Sequence, residues 1–183
     1  MNVMKKIKIE KVTLNIGAGK DQKVLDKAIK LLENITGIKP IKTTTNKRIQ
    51  SWGLRPGLPI GCKITLRGEE AKKMVERIIY AKDNNLQESY FDEEGNISFG
   101  IKEYVDIKDA KYDPSIGMMG LQATITLSRP GFRVKTRRIR PSTLPPNHRI
   151  TKEEAIQFMK DNYSVKTGDE LWRLQIIQKC WNK

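Results

Sequence analysis

Five cations, four glycines and two prolines fall within residues 45–68, TNKRIQSWGLRPGLPIGCKITLRG, and no Asp or Glu stands among them. Lys47, Arg48, Arg55, Lys63 and Arg67 are donors of the kind that bind anionic oxygen. Arg presents phosphate with a planar fork and Lys with a point charge. Pro56 fixes φ and lowers the entropy lost on ordering, while Gly53 and Gly57 permit close backbone approach. Trp52 leaves two readings open beside these cations. It is a ring that stacks on a base or, the commoner role, a partly buried anchor for the loop root.

The same chemistry recurs along the chain. Residues 34–68 hold seven Lys or Arg and no acid, and residues 114–149 again hold seven and none. These windows carry the whole formal charge of +14, because 21 basic residues elsewhere balance 21 acidic ones. Residues 86–113 have the opposite bias, eight acids against three lysines. Ordinary surfaces intersperse the two signs, so two long one-signed windows point to a polyanion, and the usual polyanion is nucleic acid. An anionic membrane would need a basic amphipathic helix or a lipid signal, and windows that read as strands and loops have neither.

Catalytic and metal chemistry finds little support. GAGK (17–20) lacks the first glycine of a phosphate-binding loop, and Asp21 stands where a magnesium-holding Ser or Thr belongs. His148 is the only histidine, which excludes histidine-pair acid–base catalysis; a surface-loop residue is the plain reading, a cap or phosphate contact the other. FDEEGN (91–96) gathers carboxylates without a calcium-loop pattern and reads as a solvated turn. A nuclease would need carboxylates or a nucleophile near the basic stretches, and the acids lie elsewhere. No cofactor and no metal is expected.

The elements that must position these cations follow from periodicity. KVTLNIG (11–17) alternates Val12, Leu14 and Ile16 against Lys11, Thr13 and Asn15, as a half-buried strand does. Residues 21–36 place Val24, Leu25, Ala28, Ile29, Leu32 and Ile35 at helical spacing, closed by Gly37 with Pro40 beyond. IGCKITLRG (60–68) sets Cys62, Ile64 and Leu66 opposite Lys63, Thr65 and Arg67. A helix then runs from Glu69, with acids at its dipole-favoured start. NISFGIKEYV (96–105) and LQATITLS (121–128) alternate again, and TKEE opens a last helix with Thr151 and Glu154 at capping-box spacing.

The polar faces of these strands share one property. Lys11, Thr13, Asn15, Lys63, Thr65, Arg67, Ser98, Lys102, Gln122, Thr124, Thr126 and Ser128 include no acid. The apolar faces need cover, which the amphipathic helices supply on one side. An α+β fold is expected, with a mostly antiparallel sheet, helices on one face and an exposed, hydrogen-bonding, net-positive face opposite for nucleic acid. At 183 residues the chain suits one domain, placed over 1–166, with 167–183 as an extension. No apolar run reaches the ~20 residues of a membrane span. MNVMKKIKIE lacks the apolar region of a signal peptide, and Cys62 and Cys180 lack zinc spacing, so a soluble cytoplasmic protein is expected.

Six motifs occur in an order that resembles the ribosomal protein L5 family, in its archaeal and eukaryotic branch. They are VTLNIGAGK, TGIKPIKTTTNKRI, RPGLPIGCKITLRG, GNISFGIKEYVDI, GMMGLQATITLSRPGF and HRITKEEAIQFM. The resemblance covers about residues 4–165. It implies a nonenzymatic constituent of the large ribosomal subunit with an exposed RNA-binding face, placed in the central protuberance with neighbouring ribosomal proteins. The implied partners are 5S rRNA, large-subunit rRNA and the P-site tRNA. Asn15, Gly17, Lys42, Thr44, Lys47 and Arg48 are the implied 5S contacts, with Lys63, Thr65, Arg67 and Thr124 on the sheet face. Arg55, Pro56 and Gly57 match the tip of a loop that reaches tRNA. Arg137 and Arg138 lie in a basic, Pro-rich segment (129–149) read either as an rRNA-binding arm ordered on binding or as a solvated loop. A free-standing RNA-binding module or chaperone is the alternative function. The extension departs from the family pattern. Its Leu171, Trp172, Leu174, Ile177 and Trp181 are consistent with an amphipathic helix, an unstructured tail or an anomaly of the recorded sequence.

Overall fold

Apolar residues recurring every second position build the sheet, and those recurring every third or fourth build the helices that cover it. The computed structural model describes residues 2–167. Within them, strands β1 (Lys8–Gly17), β2 (Ile41–Thr44), β3 (Pro59–Leu66), β5 (Asn96–Ile101) and β6 (Leu121–Ser128) form one sheet in the order β2-β3-β1-β6-β5. Every pairing in it is antiparallel, so the fold is α+β as expected. A second, two-stranded sheet pairs β4 (Asn85–Leu86) in parallel with β7 (Lys166–Thr167).

Helices α1 (Gln22–Thr36) and α2 (Gly68–Tyr80) supply the cover. Leu25, Ala28, Leu31, Leu32 and Ile35 of α1, with Ala71, Met74, Val75, Ile78 and Ile79 of α2, share one core with Val12, Leu14, Ile64, Leu66, Ala123 and Ile125 of the strands. Gly37 ends α1 at φ 71°, its N–H donating to the Glu33 carbonyl at 2.7 Å. A left-handed residue is what this cap requires, and glycine adopts it without a Cβ penalty. Glu69 and Glu70 occupy the first turn of α2, where the helix dipole favours them. A single turn, α3 (Arg133–Thr136), precedes α4 (Lys152–Tyr163). The capping box at the start of α4 is formed: the Glu154 N–H donates to Thr151 Oγ1 and the Thr151 N–H to Glu154 Oε2.

The boundaries depart from expectation where local geometry intervenes. β1 begins at Lys8, three residues early, because a bulge between Ile9 and Lys11 lets the strand continue past its alternating stretch. β5 stops at Ile101 rather than at Val105. There the chain enters a 3-10 turn (Tyr104–Asp106) that buries Tyr104, whose hydroxyl accepts from the Asp113 N–H at 2.9 Å. The expected readings of Leu171, Trp172, Leu174, Ile177 and Trp181 lie outside the described residues.

Candidate nucleic-acid interface

The register turns the polar side chains into rows across the open face. Ile41, Lys63, Asn15, Gln122 and Gly100 are successive cross-strand partners, and so are Thr65, Thr13, Thr124 and Ser98. Lys11, Thr126 and Asn96 make a third row. Two cross-strand hydrogen bonds tie the lattice, Asn15 Nδ2 to Gln122 Oε1 at 3.1 Å and Ser98 Oγ to Thr124 Oγ1 at 3.2 Å. Fixed rotamers of this kind lower the ordering cost of a ligand that spans several strands. Lys63, Thr65 and Arg67 are exposed and Thr124 is half-buried.

Three features of the face differ from the sequence reading. Ser128, expected among the open polar residues, is buried at the end of β6, where the chain continues directly into the buried Arg129. The face is also not free of acid: the bulge in β1 brings Glu10 to 3.4 Å from Arg67, and Asp92 lies at the opposite margin, bonded to Asn96 and lining one cleft with Lys11. Finally, Ile41 joins the face through the unexpected edge strand β2 and stands 68% exposed.

The basic loop is a folded extension of the β2–β3 hairpin. The Thr45 N–H donates to the Leu58 carbonyl, and Ile49 and Leu54 each donate an N–H to the other's carbonyl. These ties close a small tip with a 3-10 turn (Gln50–Trp52) capped by Gly53 at φ 65°. Arg55, Pro56 and Gly57 form a separate turn, closed by the Leu58 N–H on the Arg55 carbonyl at 3.1 Å. Pro at its second position and Gly at φ 83° in its third mark it as type II. The Gly57 N–H also donates to the Thr45 carbonyl, so this exposed turn is a shoulder near the loop root, and the tip belongs to residues 50–53. The expectation for Trp52 reverses as well. Trp52 is 67% exposed and Leu54, at 8%, is the anchor.

The remaining candidate residues fall into separate neighbourhoods. Gly17 closes β1 opposite Gly61. Lys42 pairs with Cys62, a core-facing position, so it projects from the other side of the sheet edge than Lys63 does, and it is exposed. Thr44, Lys47 and Arg48 are exposed along the loop's first limb, where the Thr45 hydroxyl donates to the Lys47 carbonyl and accepts from the Lys47 N–H. Arg137 and Arg138 follow α3 in the arm, apart from the sheet lattice and exposed. Arg137 donates to the Arg140 carbonyl at 2.8 Å, and the Ser142 N–H to the Val134 carbonyl. The arm therefore carries internal hydrogen bonds of its own.

Sequence reasoning missed two cations. Lys20 lies beside the loop tip, its Cδ 3.9 Å from the position a Cβ on Gly53 would take, and no spacing rule connects residues so far apart. Arg129, one of the seven cations of the second basic window, is 5% exposed and holds the His148 and Arg149 carbonyls and Glu154. Burial pulls the Glu154 carboxyl up, but the Thr151 N–H and the Arg129 guanidinium outweigh it and hold it below its ordinary value. Among the described residues there is no group of three or more potential metal ligands, and no helix is long and apolar enough to cross a membrane.

The chain is similar to known proteins along most of its length. A family profile described as "Ribosomal protein L5" matches residues 2–55, and a second, described as the C-terminus of the same ribosomal family, matches residues 59–158. The large ribosomal subunit protein uL5 of Nanoarchaeum equitans is 49% identical over 164 residues, 89% of this chain and 96% of that one. Those of Sulfurisphaera tokodaii and Methanosphaera stadtmanae are 46% and 45% identical, each across 90% of this chain and 94% and 98% of their own lengths.

Proposed function

The chain belongs to the ribosomal protein L5 family, and from that premise we propose that it is a nonenzymatic, structural constituent of the large ribosomal subunit whose open sheet face holds 5S rRNA. The observation that supports this reading most is the three-row lattice of Lys, Thr, Ser, Asn and Gln side chains, continuous over β3, β1, β6 and β5. Such a surface gives phosphate and 2′-hydroxyl groups many weak partners and leaves no apolar seam for a protein core to fill. Asn15, Gly17, Lys63, Thr65, Arg67 and Thr124 lie on or beside it, and Lys42, Thr44, Lys47 and Arg48 extend the contact along the hairpin. The exposed arm, through Arg137 and Arg138, takes large-subunit rRNA. The Arg55–Pro56–Gly57 shoulder and the tip next to it face the P-site tRNA. Other ribosomal proteins are its neighbours in the particle.

The salt dependence of 5S rRNA affinity tests this reading. Each neutralised phosphate contributes about −0.7 to −0.9 to the slope of log K against log salt, and Lys63→Ala is expected to flatten that slope. An affinity insensitive to salt removes the face from the interface. A chain acting as a free-standing RNA module or chaperone would instead sediment apart from large subunits in a sucrose gradient at moderate salt.

A further inference from the structure

The acid at the margin of the RNA face has a different use from the cations around it. Lys11, Tyr90, Asp92, Asn96, Ser98, Thr124 and Thr126 line part of an open cleft of about 610 Å³, between the polar face and the 3-10 turn (Glu88–Tyr90) that precedes β5. That volume falls within the ~300–1,000 Å³ of small-ligand sites. Its floor is the Lys11, Thr126 and Asn96 row together with the bonded Ser98 and Thr124 pair. Tyr90 also lines the cleft, and its ring packs on the core residue Phe99, centroids 5.9 Å apart.

A carboxylate beside a polyanion repels phosphate and contributes attraction by accepting N–H or O–H groups. Asp92 already accepts from the Glu93 N–H at 2.8 Å on one oxygen and from Asn96 Nδ2 at 3.3 Å on the other. An ionised carboxylate has about four acceptor positions, so each oxygen keeps one. In RNA, unpaired bases are the groups read by their edges and stacked on aromatic rings. Guanine alone presents two adjacent donors, N1–H and the 2-amino group, on its pairing edge. Adenine and cytosine set an acceptor beside their single amino group, and uracil flanks its one N–H with carbonyls.

We propose that this cleft takes one unpaired guanosine of the bound RNA, its pairing edge on Asp92, its ring against Tyr90 and its phosphate near Lys11. The site deepens the RNA-binding reading above and rests on it. Asp92 supplies base specificity, where the rest of the face supplies sequence-independent affinity.

The test uses the full chain and end-labelled single-stranded uridine hexamers carrying one central guanosine or adenosine, read by fluorescence anisotropy. The guanosine hexamer is expected to bind about fivefold or more tightly than the adenosine one, as a bidentate base contact implies. Asp92→Asn is expected to bring the two within about twofold, since one acceptor becomes a donor. Tyr90→Leu is expected to weaken the guanosine hexamer by a similar factor. Equal affinities in the unmutated protein, or a preference that Asp92→Asn leaves intact, overturns the proposal. Should Asp92→Asn unfold the turn, the unmutated protein still decides. Amide signals of Asn96, Ser98, Thr124 and Thr126 shift with the guanosine hexamer and not with the adenosine one; identical or absent shifts refute the site. Salt-dependent 5S rRNA binding without base preference defeats the cleft alone, whereas loss of all RNA binding defeats the functional reading with it.

Discussion

Arg129 and Glu154, 25 positions apart in sequence, meet at 2.6 Å with the guanidinium side chain 5% exposed and the carboxylate side chain 42% exposed. One bond joins the end of β6 to the first turn of α4, and the arm between them hangs from that clasp. Glu154 also completes the capping box, so one carboxylate serves both contacts. Glu154→Gln is expected to cost about 1–2 kcal/mol near neutral pH, a figure discounted for the exposure of the carboxylate. The folded carboxyl lies below its ordinary value, so its contribution is full above the unfolded value of roughly 4.3. It is lost as pH falls through the folded value. Urea unfolding of both proteins at neutral pH and below about pH 4 checks this, with the gap closing in acid. A gap that persists in acid means the variant is destabilised by something other than the ionised carboxylate.

Gly61 resists replacement for a reason visible only across strands. A Cβ there would sit 2.6 Å from the Ile16 carbonyl oxygen and 3.0 Å from Thr43 Oγ1. Backbone cannot yield as a side chain can, so Gly61→Ala is expected to lower stability by about 1–3 kcal/mol. An unchanged urea midpoint would show that β1 and β3 separate there without cost.

Lys47 and Arg48 lie on the first limb of the loop, Arg55 on the shoulder near its root. Lys47→Ala and Arg48→Ala are each expected to flatten the salt slope for 5S rRNA by nearly one. Arg55→Ala is expected to leave both folding and 5S affinity nearly unchanged and to weaken P-site tRNA by about 1 kcal/mol or less. The paired measurement is 5S binding by the free protein and tRNA release from reconstituted subunits. Loss of 5S binding with normal tRNA release would assign the shoulder to the other RNA.

Cys62 is fully buried, and burial pushes its thiol up to about 11. Thiolate is the reactive form, so in a Cys180→Ser background the native protein is expected to resist thiol reagents until denaturant is added. Prompt labelling without denaturant would mean that β3 opens locally at low cost.

The sheet and helices were legible because their residues carry a period. LQATITLS alternates without interruption and β6 has the expected limits, and the Thr151 and Glu154 box formed as spaced. β2 carried no such signal. Ile41–Lys42–Thr43–Thr44 does not alternate, and it is a strand because β3 offers it an edge. Glu10 escaped notice because a bulge adds one residue and so breaks the parity from which faces are read. Arg129 looks in sequence like its six basic neighbours, and only tertiary packing separates the buried cation from the exposed ones. Trp52 and Leu54 exchanged roles for a similar reason: size suggests an anchor, but the Ile49–Leu54 bridge decides which side chain turns inward.

β1 is the first strand to leave the ribosome and the central strand of the sheet, with Leu14 lying between Ile64 of β3 and Ala123 of β6. During synthesis its antiparallel partner β3 follows after α1 and β2, and until β6 emerges the β6-facing edge of β1 is open. At ~5–20 residues per second the stretch from Leu66 to Ser128 takes on the order of 3–12 s to follow. An unpaired edge is a template for another chain, and the late closure raises the contact order that slows folding. The nascent chain therefore passes through a defined interval of vulnerability, in which a chaperone or an early RNA partner covering β1 would guard the seam that β6 later fills.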